Sequence, residues 1–212
     1  MDKVRNSHSK ERGTALVEFA LCLSFFWVPL FLGTVVIGFS LIQAIQVTQV
    51  CRDGGHMYAF GTDFSQTSNK YLLASLAPGL NIDPTGAGGN SVAILSTITY
   101  VDDVLCPSGK QPDGSSCSNY HQTVFSRWIV VGKSALHNSA FQSSGTAPTT
   151  DSSGNVVNYL DAAAARVTGF SPTVINLTSS SQLAYVSELY TQPPSLITTF
   201  LGQPWVNAMS VF

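Results

Sequence analysis

The chain has 212 residues, of which 44% are hydrophobic and 10% charged, against about 25% charged in ordinary soluble globular chains. Its formal charge is −2, and the six basic residues after position 50 (Arg52, Lys70, Lys110, Arg127, Lys133 and Arg166) are scattered, which excludes the clustered basic footprint of a nucleic-acid partner. The length suits one modest domain with a sizeable core plus a further segment, and a sequence rich in Ser, Thr, Asn, Gln and Gly fits an exported protein better than a cytosolic enzyme.

Residues 1–13 carry Lys3, Arg5, Lys10 and Arg12 against Asp2 and Glu11, whereas from Arg52 onward nine acidic residues outweigh six basic ones. A basic end before an apolar segment predicts a cytoplasmic N-terminus and a large C-terminal part outside. The apolar segment runs from Phe19 to Ile42, "FALCLSFFWVPLFLGTVVIGFSLI", with Ser24, Thr34 and Ser40 as its polar residues and no charge. As a helix these residues reach about 36 Å, enough to cross a bilayer core. A cleaved secretory signal would be shorter and followed by an A-x-A-like site, which "SLIQAIQVTQ" does not offer. Within the span, Pro29 predicts a kink or local loosening, Cys22 reads as a small apolar residue in lipid, and Thr34 with Gly38 forms a small-xxx-small pair that permits close helix contact.

Past the membrane the pattern turns amphipathic. Gln43, Gln46, Gln49 and Asp53 recur on one face, and Ile42, Ile45, Val47 and Val50 supply apolar surface. Gly54-Gly55 predicts a stop or hinge. A helix from Thr14 to that point is about 60 Å long, more than an anchor alone requires.

One carboxylate, Glu18, stands where the apolar run opens, and a carboxylate within lipid costs about 2.5–3.5 kcal/mol on insertion scales. Its interfacial position, in the first turns of a helix whose dipole favours negative charge, lowers that cost. Just before it lie a basic leader of 13 residues, Gly13 and Thr14; just after it comes Phe19. This arrangement, "RGTALVEFAL", resembles the class III leader of type IV pilins and pseudopilins. The Glu-Phe pair, the short leader and the large domain after the helix look most like the TadE-type pseudopilins (minor pilins) of the tight adherence (Tad/Flp) pilus system.

That resemblance implies cleavage between Gly13 and Thr14 by a membrane aspartic prepilin peptidase, with Glu18 and Phe19 then taking part in helix assembly. The Thr14 amine and the Glu18 carboxylate of neighbouring subunits could neutralise one another, since paired charges cost less in lipid than isolated ones. Arg52-Asp53-Gly54 matches in type, at three positions, the Ala-Arg-Glu-Gly-Ala-like stretch common after the helix in such chains, while Cys51, His56 and Met57 depart from it.

Beyond the helix an α+β, pilin-like domain is expected. Residues 63–76 predict a short helix capped by Asp63, with Phe64, Tyr71, Leu72 and Leu76 inward. "DPTGAGGN" at 83–90 is a loop that lacks the Gly-Lys-Ser/Thr ending of a phosphate-binding loop. Runs at 91–101, 121–131 and 181–190 predict strands of a small antiparallel sheet. The first two flank "CPSGKQPDGSSC", where Cys106 and Cys117 bracket a hairpin tip and predict a disulfide outside the cytoplasm. Cys51 is left as a free thiol or an alternative partner. Asp102-Asp103 reads as a solvated strand end, residues 138–158 as a flexible polar loop, "YLDAAAARVTG" as a short helix, and the proline-rich ending as lacking regular structure.

The domain plan is therefore a cleaved leader at 1–13, a long helix at 14–60 with its span at 19–42, and an exported domain at 61–212. The histidines show no metal-ligand spacing, no nucleophile or acid-base constellation is visible, and no cofactor or metal is expected. The expected function is that of an inner-membrane minor pilin or pseudopilin taking part in assembly of an adhesive pilus, with the prepilin peptidase and other pilin subunits as partners. The alternative is a single-span envelope protein whose exported domain binds a ligand or partner.

Overall fold

A computed structural model describes residues 8–143, 145–169, 176–192 and 205–212, with side chains from Thr14 onward. The elements among the described residues are α1 (His8–Ala59), α2 (Thr67–Leu76), β1 (Ser91–Tyr100), β2 (Thr123–Gly132), β3 (Leu183–Thr191) and β4 (Val206–Val211), with four short 3-10 helices between them. The chain divides into two compact units, Met1–Ile42 and Gln43–Phe212.

The first unit is helical because its sequence leaves the backbone no other partner in an apolar medium: a helix bonds its own N–H and C=O groups. The polar side chains obey the same constraint. Ser24, Thr34 and Ser40 each donate a 2.9 Å hydrogen bond to the carbonyl four residues earlier, on Ala20, Leu30 and Val36, so no hydroxyl is left unpaired in the span. Pro29 lies within the continuous helix; having no N–H, it cannot bond the Phe25 carbonyl.

In the second unit the last turns of α1 lie on one face of an antiparallel sheet of order β2-β1-β3-β4. Val47, Val50, Cys51 and Tyr58 recur at helical spacing and are buried. They share a core with Phe64, Leu73, Ala77, Leu80 and Ile82 and with the sheet residues Ala93, Leu95, Ile129, Val131 and Leu189. The opposite face carries Val92, Ile94, Ile98, Phe125, Trp128, Val186 and Tyr190 under a layer of loops that contributes Phe141, Val156, Ala165, Leu177 and the two cysteines. Strand β1 is thus covered on both sides, and nine of its ten residues are buried. Among the polar ones, Thr97 Oγ1 lies 2.7 Å from the Tyr58 hydroxyl, and Ser91 bonds the Leu80 carbonyl and Thr191.

The α+β class and the three expected strands hold, and several details differ. Gly54-Gly55 does not stop the helix, which runs to Ala59. The glycines serve close approach instead: a Cβ on Gly54 would come 2.8 Å from Leu73 Cδ1, and one on Gly55 would meet the Phe212 ring and Ser187. Helix α2 starts at Thr67 with Gln66 as an N-cap that makes no side-chain bond. Asp63 lies upstream of it, accepting from the Ser65 N–H and pairing with Arg127. Of the expected inward stripe only Phe64 is buried; Leu73 takes the inward position, and Tyr71, Leu72 and Leu76 are exposed.

The stretch 159–169 forms only a 3-10 turn at Ala163–Ala165. Asn119 Nδ2 takes the carbonyls of Tyr159 and Ala162, and Val167 N–H bonds Thr123, so helical bonding is outcompeted. The chain end forms β4 on β3: its prolines at 193, 194 and 204 precede the strand, and residues 193–204 lie outside the described set.

Candidate functional site

Gly13 and Thr14 lie inside α1, which begins at His8. Glu18 follows Thr14 by one helical turn, so the two positions share a face. Glu18 and Phe19 are exposed, Phe19 at 66%. Phe25 and Phe26 are 84% and 76% exposed, and Leu16, Trp27, Phe31, Phe39 and Leu41 all exceed half. Exposed apolar surface this extensive needs a cover. The helix Thr14–Ala59 has a window of mean hydropathy 2.3 with only 6% of its residues buried, and it is long and apolar enough to cross a membrane once.

Thr34 and Gly38 are also one turn apart. The Thr34 hydroxyl is folded back on Leu30, and nothing lies within 4 Å of a Cβ placed on Gly38. Both positions therefore present a shallow, unfilled strip of helix surface.

In the second unit Cys106 and Cys117 form the expected disulfide, with Cα atoms 6.3 Å apart, and both are buried in the loop-side core. Cys51 is not an alternative partner. It is a free, buried thiol whose Sγ lies 3.2 Å from the Ser187 carbonyl and 3.3 Å from that of Ala208. Cys22 is exposed on the apolar helix.

Three polar clusters carry the electrostatics of this unit. Asp102 is more than a solvated strand end: its carboxylate accepts the backbone N–H and hydroxyl of Ser180 and the N–H of Val104. Those bonds, the Ser180 N–H foremost, hold its pKa down at about 2 against the desolvation that opposes them. Arg127 on β2 joins Asp63 at 2.6 Å and the Ser153 carbonyl at 3.0 Å; together with the backbone pairing of Asn155 to Arg127, this fastens part of the 138–158 segment to the sheet.

Glu188 on β3 is 1% exposed. It accepts from the Ser139 hydroxyl at 3.0 Å, the Ala140 N–H at 3.2 Å and the Tyr190 hydroxyl at 3.2 Å. Burial outweighs these three bonds and raises its pKa to about 7. Sequence reading passed over it inside the apolar run "LAYVSELYT"; an acidic residue alone in such a run was the available signal.

Comparison with known proteins adds one finding about the helix. The family model described as TadE-like protein matches residues 13–56, which begin at Gly13 and include Glu18, Phe19 and "CRDGGH". No match is found among curated proteins or among solved structures.

Proposed function

We propose that this chain, TadE-like over its amino-terminal helix and so associated with the Tad pilus system, is a minor pilin or pseudopilin that takes part in assembling an adhesive pilus. The observation that carries the reading is the family match from Gly13 to His56, coincident with the one helix apolar enough to span a bilayer among the described residues.

In this reading residues 1–13 are a cytoplasmic leader, removed between Gly13 and Thr14 by a prepilin peptidase. The helix then stays in the inner membrane, with residues 61–212 as an exported domain. The buried disulfide supports that side of the membrane, because disulfides persist outside the reducing cytoplasm. Cleavage would leave a Thr14 ammonium one turn from Glu18. Such a pair can recruit the next subunit by neutralising charge at the membrane edge, where an isolated carboxylate is costly. The open strip at Thr34 and Gly38 is where a second helix would approach closely.

The test is the N-terminus of protein recovered from membranes and from sheared pili. Mature chains beginning at Thr14 are expected in cells with the peptidase, and chains beginning at Met1 in its absence. Chains beginning at Met1 in both would overturn the reading.

A further inference from the structure

Glu188 lies within β3, level with Ile94 on β1 and Met209 on β4, on the sheet face that Val186 and Tyr190 share with the loop layer. A carboxylate taken out of water needs a cation or enough donors to replace its hydration. The donors here are the Ser139 hydroxyl, the Ala140 N–H and the Tyr190 hydroxyl. No cation joins them: among the described residues no Lys, Arg or His bonds or ion-pairs with Glu188, and Arg127 is engaged by Asp63.

The titratable groups around it are few. Tyr190 lies on the same strand, His137 stacks on the Tyr190 ring with centroids 3.8 Å apart, and Cys51 of α1 packs in the core on the other face. Burial raises the pKa of both Tyr190 and Cys51, so both are neutral near pH 7. Strand β1 has only Tyr100, six residues beyond Ile94. Strand β4 and residues 138–142 have no ionisable side chain, and neither do residues 170–175 and 193–204, outside the described set.

Two of the three donors come from one turn, so Glu188 ties residues 139–142 to β3. Ser139 passes the hold on, because its Oγ also accepts the Phe141 N–H at 3.1 Å. Phe141 is buried in the loop-side core, and its carbonyl accepts the Thr168 N–H at 2.9 Å. Gln142 pairs with Val167, whose N–H bonds Thr123 on β2. One carboxyl thus anchors a run of contacts that crosses the loop layer from β3 to β2.

The two protonation states hold this run differently. A neutral carboxyl is tolerated in the interior, whereas an ionised one regains its hydration only if the turn lifts away. We propose that residues 139–142 are a pH-operated latch, closed on β3 while Glu188 is protonated and released when it ionises, so that Phe141 leaves the loop-side core. The closed form titrates at about 7, and a hydrated carboxyl returns toward 4.5. Between those values only the open form is ionised, so opening grows as pH rises and levels off above about 7. The opening lifts one turn off an intact sheet; it involves neither cleavage after Gly13 nor pilus assembly.

The test is amide exchange on the full chain in detergent micelles from pH 5 to pH 7, each rate divided by that of an unstructured peptide at the same pH. Ala140, Phe141 and Thr168 should be at least tenfold less protected than the amides of β1, the mark of local opening. Their protection should fall about tenfold or more between pH 5 and pH 7. In Glu188→Gln, which keeps the size and an acceptor but cannot ionise, protection should be independent of pH. Protection equal to that of β1 would mean that the turn leaves only when the whole domain unfolds, and protection constant with pH in the native chain would mean that Glu188 does not operate it; neither measurement needs the variant. The same fall in Glu188→Gln would assign the effect to His137. Each of these three results would overturn the proposal.

Discussion

Glu188 shows how a single side chain makes this domain sensitive to pH. Its carboxyl titrates near pH 7 when folded, against 4.5 for an ordinary glutamate, because burial disfavours the charged form by more than three hydrogen bonds favour it. Between those values the folded chain binds more protons at this site than the unfolded chain. Stability therefore falls as pH rises from about 4.5 to about 7 and levels off above it, by up to about 3 kcal/mol. Glu188→Gln carries no charge to desolvate, and an amide can still accept from Ser139 or Ala140. Urea midpoints from pH 4 to pH 8 should decline for the native chain and stay nearly flat for the variant; parallel curves would show that Glu188 does not titrate in this window. Asp102 lies outside this comparison, since its pKa is lowered to about 2 and its contribution is lost only in strong acid.

At the scale of elements, the same residue types read differently according to what they face. Strands β1, β2 and β3 were legible because runs of β-branched and aromatic residues have few other uses. Gly54 and Gly55 were misread as a helix stop because composition does not reveal what lies opposite a glycine. In the fold they lie against Leu73, and against Phe212 and Ser187. This sets two substitutions apart. Alanine gains about 1 kcal/mol of helix propensity over glycine at either site. At Gly54 the obstacle is the mobile end of a leucine, so Gly54→Ala should be close to neutral. At Gly55 the added methyl meets Ser187 Cβ on β3 at 3.0 Å as well as the Phe212 ring. Gly55→Ala should therefore destabilise by about 1–2 kcal/mol net, as overpacking does, and loosen the end of β4. Thermal unfolding of the two variants side by side checks the ordering.

The disulfide is a second element whose position was legible from spacing alone, since Cys106 and Cys117 enclose a Pro/Gly/Ser-rich tip. Opening so short a loop, by changing both cysteines to serine, should lower stability by about 3 kcal/mol in the chain-entropy model, read as a shift in urea midpoint that reduction of the native protein reproduces. The family resemblance of the amino-terminal stretch was legible for a different reason. Glu18, Phe19 and the basic leader are a linear pattern, and linear patterns survive without knowledge of the fold. Glu188, the pairing of Arg127 with Asp63, and the hold of Asn119 on Tyr159 and Ala162 join residues far apart in sequence, and no local pattern announces them.

At the scale of the whole molecule, α1 serves two solvents with one continuous element. Up to Ile42 its large apolar side chains, Val35 and Val36 apart, are exposed and suited to lipid; from Val47 to Tyr58 the buried ones, Val47, Val50, Cys51 and Tyr58, belong to the domain core. The folding boundary therefore lies before the end of the helix, at the division between Ile42 and Gln43, and not at the loop that follows Ala59. A fragment 43–212 should be soluble and fold with its disulfide formed, whereas a fragment 61–212 should not fold. The second lacks Val47, Val50, Cys51 and Tyr58, and burial of large apolar side chains is worth about 1.5–3 kcal/mol each. Their loss, about 6 kcal/mol or more, is comparable with the total stability of about 5–15 kcal/mol expected of such a domain. It would also open the sheet face formed by Ala93, Leu95 and Leu189 to water. Near-ultraviolet circular dichroism and the cooperativity of urea unfolding distinguish the two fragments. A cooperative 61–212 would mean that the sheet and its loop-side core suffice alone and that the helix end is an accessory. A non-cooperative 43–212 would mean that the span itself is needed to hold the domain together.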